Sequence, residues 1–78
     1  MSYETMDATV IGNTLRKLRE SQNLTMERLS VILGITTSAI CNYETGARIP
    51  RDEVKIRIAE YFGVPVESIF FQKKQHET

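Results

Sequence analysis

One stretch decides the fold: GITTSAICNYETG, residues 34–46. At about 100° per residue, Ile40 and Tyr43 fall on one side of a helix. The opposite side carries small residues that are mostly polar, namely Thr37, Ser38, Cys41, Asn42 and Thr45. Thr36 supplies a hydroxyl that can cap the first turn, and Gly46 can adopt the left-handed conformation that ends a helix. We therefore predict a short helix whose outer face is small and polar.

The segment just before this stretch repeats the same design. Thr25 can cap a helix over residues 26–33, and Gly34 can end it, so that about three residues separate the two helices. Two short helices joined by a tight turn that contains glycine form a helix-turn-helix unit, whose second helix enters the major groove of DNA. The sequence thus predicts a recognition helix over residues 37–45.

Three further helices are predicted from apolar periodicity. The first runs from Val10 to about Gln22, the fourth follows Pro50, and a short fifth opens at Pro65. Their inward stripes are Ile11, Leu15 and Leu18; Val54, Ile58 and Phe62; and Val66, Ile69 and Phe70. The pattern predicts an all-α domain of five helices over residues 10–71. The polar segments on either side are predicted to be a flexible N-terminal arm, residues 1–9, and a polar C-terminal tail, residues 72–78.

The charge of the chain bears on its partners. The 78 residues carry a formal net charge of zero, which argues mildly against a nucleic-acid binder, because affinity for DNA depends largely on phosphate neutralisation by Lys and Arg. Residues 10–63, however, hold eight Lys and Arg against six Asp and Glu. We expect modest non-specific affinity for DNA and reliance on two subunits that contact two half-sites.

Several function classes are not expected. The single Cys excludes an internal disulfide, and with a single His we expect no metal cluster within one chain. No apolar run approaches the ~20 residues of a membrane helix, and the N-terminus lacks the layout of a signal peptide, so we expect a cytoplasmic protein. No nucleophile-base pair, paired carboxylates or phosphate loop indicates an enzyme, and no cofactor is expected.

Taken together, the fragments resemble a known family. They are LRKLRE (residues 15–20), LTMERL (24–29), LGIT (33–36), YETG (43–46), RIP (48–50) and FGV (62–64). Their order and spacing resemble the Cro/CI (Xre) family of helix-turn-helix repressors, over residues 10 to about 71. The resemblance implies a lambda-repressor-like domain that binds double-stranded DNA.

The resemblance also implies roles for single residues. The positions that commonly touch base edges are Thr37, Ser38 and Asn42, with Cys41 between them on the same face. The positions that match phosphate contacts are Thr25 and Met26, at the start of the second helix, and Thr45 and Arg48, after the recognition helix. Arg19 and Glu44 correspond to an ion pair that ties the first helix to the recognition helix in several family members.

The chain departs from the family pattern at three places. Met26 stands where Gln is common, Ala47 stands where a basic residue is frequent, and the base-reading positions hold small residues. Readout through DNA shape or bridging water is therefore expected to be more important than long side chains. Cys41 has two interpretations, a redox sensor in the groove or an ordinary small residue, and a lone cysteine is more often the second.

Two apolar residues, Ile56 and Phe71, lie off the inward stripes of the last helices, and we expect both to be exposed. Since the last helices often form the dimer interface in this family, we predict an isologous homodimer through them. The predicted function is a sequence-specific transcriptional regulator, in particular a repressor, that binds a short inverted repeat as a homodimer. The alternative is an antitoxin-like or adaptor module that binds a protein partner and has lost DNA binding. Three features favour this alternative: the zero net charge, Met26 and Ala47.

Overall fold

A computed structural model describes residues 3–73 of the chain, with Tyr3, Gln72 and Lys73 described by their backbone alone. Its elements are, in order, β1 (Tyr3–Thr5), α1 (Ala8–Ser21), α2 (Met26–Leu33), α3 (Thr37–Thr45), α4 (Asp52–Phe62), α5 (Val66–Phe70) and β2 (Phe71–Lys73). The five predicted helices are confirmed, and two strands of three residues each are added to them.

The predicted caps set the turn between α2 and α3. The Thr25 hydroxyl accepts a hydrogen bond from the Arg28 amide at 3.0 Å, and Thr36 repeats this at the start of α3. Gly34 ends α2 with φ at +69° and Gly46 ends α3 with φ at +82°, a region that residues with a Cβ rarely occupy. These four residues give the short, sharply turned helix pair of the helix-turn-helix unit.

A single core joins the helices. The inward stripes contribute Ile11, Leu15, Leu29, Leu33, Ile40, Tyr43, Val54, Ile58, Ala59, Ile69 and Phe70, all buried. The Arg57 guanidinium also donates to the Leu33 carbonyl at 3.0 Å. This bond satisfies one of the carbonyls left open at the end of α2 and ties α4 to the helix-turn-helix unit.

The ends of the domain differ from the predicted arm and tail. Strands β1 and β2 pair antiparallel, with Glu4 opposite Gln72, and the Met6 amide donates to the Phe70 carbonyl at 2.9 Å. Residues 3–5 are therefore not a free arm, and Gln72 and Lys73 belong to β2 rather than to a tail. The remaining parts of the predicted arm and tail, residues 1–2 and 74–78, lie outside the described residues.

Helix α1 begins two residues earlier than predicted. It starts at Ala8 because the Asp7 carboxylate caps it, accepting from the Thr9 amide at 2.8 Å. The first buried residue of α1 is Ile11, and Val10 before it is exposed. The apolar pattern therefore starts after the capped first turn, and a helix start predicted from that pattern lies too far along the chain.

Helices α1 and α3 cross closely at Gly12. A Cβ at this position would lie 2.4 Å from the Glu44 carbonyl oxygen and 2.6 Å from that of Tyr43. Both are backbone atoms, so relief of such a contact requires α1 and α3 to move apart. The missing side chain at Gly12 thus sets the distance between the two helices.

Gly12→Ala is expected to destabilise the fold by about 1–3 kcal/mol, the usual range for overpacking a buried site. The effect is opposed by the higher helix propensity of Ala, worth about 1 kcal/mol. Denaturant unfolding measures the difference. Asn13→Ala, at the exposed next position of α1, is the matched control and is expected to change stability little. Equal stabilities for the two variants would mean that the crossing adapts at no cost.

Candidate nucleic-acid interface

The outer face of α3 collects the residues predicted to read bases. Ser38 and Cys41 are exposed, whereas Thr37 and Asn42 are half-buried at the margins of the same face. The opposite face of the helix is buried in the core. The structure therefore brings all four residues onto one surface, which has the small, polar character predicted from the helical wheel.

The Thr37 hydroxyl has a defined hydrogen-bonding state. The Ser30 hydroxyl donates to the Glu27 carbonyl at 2.7 Å, and its oxygen lies 3.2 Å from the Thr37 hydroxyl oxygen. A hydroxyl has one hydrogen, and the Glu27 carbonyl can only accept, so Thr37 is the donor in this pair when both hydrogen bonds form together. Toward solvent, Thr37 offers lone pairs and a methyl group, which suit the amino group of cytosine or adenine, or the methyl group of thymine.

The start of α2 is the first predicted phosphate site. Thr25 is exposed and caps the helix, while the Met26 side chain is half-buried and packs against the core. Met26 therefore fills space beneath the helix end instead of extending toward a ligand. Amide groups and the helix dipole still favour an anion at this position.

The loop after α3 is the second predicted phosphate site. The Asn42 carbonyl accepts from the Arg48 amide at 3.1 Å and from the Thr45 hydroxyl at 3.3 Å. These bonds fold the loop back onto α3 and leave the Arg48 side chain exposed. Thr45 donates its hydroxyl hydrogen within its own helix, so it must rotate before it can donate to a phosphate.

A buried ion pair joins α1 to α3. The Glu44 side chain is 0% exposed, and Arg19, with its side chain 11% exposed, donates to it through Nε at 2.6 Å and Nη2 at 2.9 Å. The third donor, Nη1, bonds the Leu24 carbonyl at 2.7 Å. Arg19 thus holds α3 and the segment that leads into α2 with a single planar group, a geometry that Lys lacks.

Arg19 keeps its positive charge in this ion pair at pH values near neutrality. The hydrogen bond to Glu44 raises the pKa of Arg19 above its ordinary value, which is already far above neutrality. Because folding raises this pKa, the stabilisation is fully present at pH values below the ordinary pKa of arginine and is lost only as the pH rises above that pKa.

Arg16 is a second partner of Glu44 that the sequence patterns did not single out. Its Nε lies 3.4 Å from Glu44 Oε1, and its side chain is 45% exposed. Its position three residues before Arg19 places both on one face of α1, which is the signal that could have identified it.

The two residues predicted to form the dimer interface, Ile56 and Phe71, border one groove. The groove has a volume of about 220 Å³ and is also lined by Asp52, Lys55 and Val66. Ile56 is 53% exposed. Phe71 is half-buried, against the prediction that it is exposed, because the Lys55 ammonium group lies over its ring, 4.8 Å from the centroid.

Two other kinds of feature are absent from residues 3–73. No cluster of His, Cys, Asp and Glu there could hold a metal ion. None of the helices in that part of the chain has the length and apolar character needed to cross a membrane.

Arg19→Ala is expected to lower stability by about 3–5 kcal/mol, because it strands the buried Glu44 carboxylate. Arg16→Ala removes the exposed partner of the same carboxylate, and we expect a loss of less than about 1 kcal/mol. Thermal unfolding of both variants provides the comparison. Similar melting temperatures for the two would mean that Arg19 is not the residue that compensates Glu44.

Comparison with known proteins agrees with this geometry. A family model described as helix-turn-helix matches residues 15–69. An uncharacterised HTH-type transcriptional regulator of Methanocaldococcus jannaschii is 38% identical over 58 residues, which are 74% of this chain and 88% of the relative. The crystal structure of the restriction-modification controller protein C.AhdI from Aeromonas hydrophila aligns with a TM-score of 0.75 and 25% identity, covering 82% of this chain and 97% of that one.

Some relatives are much longer than this chain. A protein of Methanoregula boonei that is named as an HTH-type transcriptional regulatory protein is 40% identical over 65 residues, 82% of this chain, and the match spans only 20% of that relative's length. What is common to the short and long relatives is the helix-turn-helix domain. The chain belongs to the Cro/CI type of helix-turn-helix transcriptional regulators.

Proposed function

We propose that the chain binds a short inverted repeat in double-stranded DNA as a homodimer and represses transcription where that site overlaps a promoter. The observation that carries the proposal is the outer face of α3, a set of small and mostly polar groups that are exposed or half-buried on a helix held by a buried ion pair. A rigidly held helix with a polar outer face at this position of a helix-turn-helix unit suits the major groove.

In this mechanism α3 is the recognition helix. Asn42 supplies an amide that can pair bidentately with adenine, and Thr37 accepts from a base amino group or contacts a thymine methyl. Ser38 and Cys41 are short, so they approach the bases closely or contact them through water. Direct readout by these few groups specifies sequence, while contacts to phosphates position the helix.

The phosphate contacts come from two places on the same side of the unit. The start of α2 offers amide groups and the positive end of the helix dipole beside Thr25. The exposed side chain of Arg48 offers a charge on the loop after α3. Because the chain has no net charge, this electrostatic contribution is small for one subunit, and two subunits on one duplex double it.

The groove beside Ile56 supports the homodimer. An exposed apolar side chain that borders a groove of about 220 Å³ can insert into the same groove of a second copy. Contact of a patch with itself about a two-fold axis is the commonest arrangement of homodimers. The two recognition helices of such a dimer would meet the two halves of an inverted repeat.

The alternative function is a protein-interaction module of the same fold. The observation that favours it is Met26, whose side chain packs toward the core and offers no donor where the family commonly has Gln. Ala47, exposed on the loop, adds no charge. A salt titration separates the two functions, since the affinity of a DNA binder falls steeply with salt and an adaptor shows no dependence on DNA.

Selection of bound duplexes from a random DNA pool, at low and moderate salt, tests the proposed function. A palindromic motif is the expected result, and its half-site spacing would give the dimer geometry. Recovery of no motif would contradict the proposal and favour the interaction module.

Asn42→Ala is expected to weaken binding to the selected duplex by about 1–3 kcal/mol, the usual value of a bidentate base contact. The preference for one particular base pair at the position that Asn42 contacts should weaken together with the affinity. Asn13→Ala, which removes an exposed amide from α1, is the control for a general loss of affinity. Unchanged affinity and an unchanged motif would remove Asn42 from the base-reading set.

Ile56→Asp is expected to convert the dimer into a monomer, because it replaces the apolar side chain proposed to insert into the partner's groove with a charge that dimerisation would bury. Sedimentation equilibrium measures the change, and binding to a full inverted repeat should fall to the level of a half-site. Val31→Asp is the matched control, since Val31 is 71% exposed on α2. A variant at Ile56 that remains dimeric would place the interface elsewhere.

A further inference from the structure

A cleft lies between the first turn of α3 and the loop that follows this helix. Its volume is about 490 Å³, within the range of sites that bind small ligands or parts of larger ones. Ala39 of α3 and the capping residue Thr36 border it on one side, and Arg48 and Arg51 border it from the loop. The cleft therefore adjoins the end of α3 that the proposed function places against the bases.

The cleft contains an unused hydrogen-bond donor. Tyr43 lines it, although the residue as a whole is 7% exposed and belongs to the core. Its hydroxyl makes no hydrogen bond among the described residues, whereas every fully buried side-chain nitrogen or oxygen in that part of the chain has a partner. The Tyr43 hydroxyl, which has no partner, is therefore not fully buried. Since Tyr43 lines the cleft, we infer that its hydroxyl meets solvent there, at the end of a side chain whose hydroxyl normally finds a partner when buried.

Two arginines give the cleft a positive charge. Arg48 has no ion pair among the described residues, and Arg51 contacts only Glu53, at 3.6 Å, with the two side chains 83% and 62% exposed. So exposed a pair contributes little in water, and the guanidinium remains available to another anion. No Asp or Glu lines the cleft.

The remaining walls are apolar. They are formed by Ile35, Ile49 and Val54 together with Ala39. A bare inorganic ion would leave these walls in contact with water. A phosphate carried on a sugar or another partly apolar body would instead cover them, while its oxygens face the hydroxyl and the arginines.

We propose that this cleft is a phosphate-binding site in which the Tyr43 hydroxyl donates to a phosphate oxygen and Arg48 and Arg51 supply the charge. The phosphate belongs to the DNA backbone beside the recognition helix, and to that extent the inference rests on the proposed function. The same chemistry would suit a small phosphate ester. Tyr43 then has two roles, since its ring fills the core and its hydroxyl contacts the ligand.

Tyr43→Phe tests the site because it removes one oxygen and keeps the ring in the core. We expect it to weaken binding to the selected duplex about tenfold, in line with a hydrogen bond to a charged group, with an unchanged melting temperature. Tyr61→Phe is the matched control. Tyr61 is 38% exposed on α4 and does not line the cleft, so this variant should bind as the parent does. Arg51→Gln should reduce the slope of affinity against salt by about one phosphate contact.

A second arm uses phenyl phosphate, followed by shifts of the backbone amide signals around the cleft. Weakened DNA binding of Tyr43→Phe, together with no response to phenyl phosphate, supports the DNA backbone as the source. A response to phenyl phosphate that Tyr43→Phe abolishes, with DNA affinity unchanged, supports the phosphate site but overturns the DNA source. No effect of Tyr43→Phe in either arm overturns the site. If the parent chain binds no DNA, the proposed function fails, and the phenyl phosphate arm still decides the cleft.

Discussion

The buried carboxylate of Glu44 is the constraint on which the rest of the structure depends. A charge with no exposure to water must be compensated by an adjacent opposite charge and by hydrogen bonds, and α1 supplies both through Arg19. The same arginine bonds the Leu24 carbonyl, ahead of α2, and Gly12 lets the backbones of α1 and α3 approach. The last turn of α3 is therefore held both by polar bonds to Glu44 and by close backbone packing at Tyr43 and Glu44. This fixes the orientation of the helix and of the small side chains on its outer face.

This arrangement explains how a chain of zero net charge can still suit DNA. Its charged residues are placed unevenly, with Arg19 committed to the interior and Lys55 covering Phe71 beside the α4–α5 groove. The side of the domain that carries α3 and its following loop retains Arg48 and Arg51. Hydroxyl and amide groups supplement them, as Thr37 shows, whose single hydrogen is already used by Ser30. In the interface that we propose, specificity would come from short groups that are positioned by hydrogen bonds within the domain.

Local chemistry made most of the helical fold predictable. Thr25 and Thr36 indicate where helices start, and Gly34 and Gly46 indicate where they end. The spacing of Ile40 and Tyr43 predicts the buried face of α3. The pairing of β1 with β2 was not predictable, since strands of three residues show no usable period and their partners lie at opposite ends of the chain. The position of Phe71 was not predictable for a related reason, because its contact with Lys55 joins β2 to α4 and depends on tertiary placement that neither residue signals. The cleft at Tyr43 was likewise hidden, since periodicity assigns the ring to the core and says nothing of its hydroxyl.

The antiparallel register of the two strands has a mechanical consequence. Tyr3 stands opposite Lys73, so both ends of the described chain leave the domain at one point. A force that pulls these two ends apart would break the hydrogen bonds between β1 and β2 one after another. It would not act on all of these bonds at the same time. The bond from Met6 to Phe70 is next in this series, and beyond it the pull reaches α5 and the first turn of α1 before any part of α3. The domain can therefore yield at its ends under load while the helix proposed to meet DNA keeps its place.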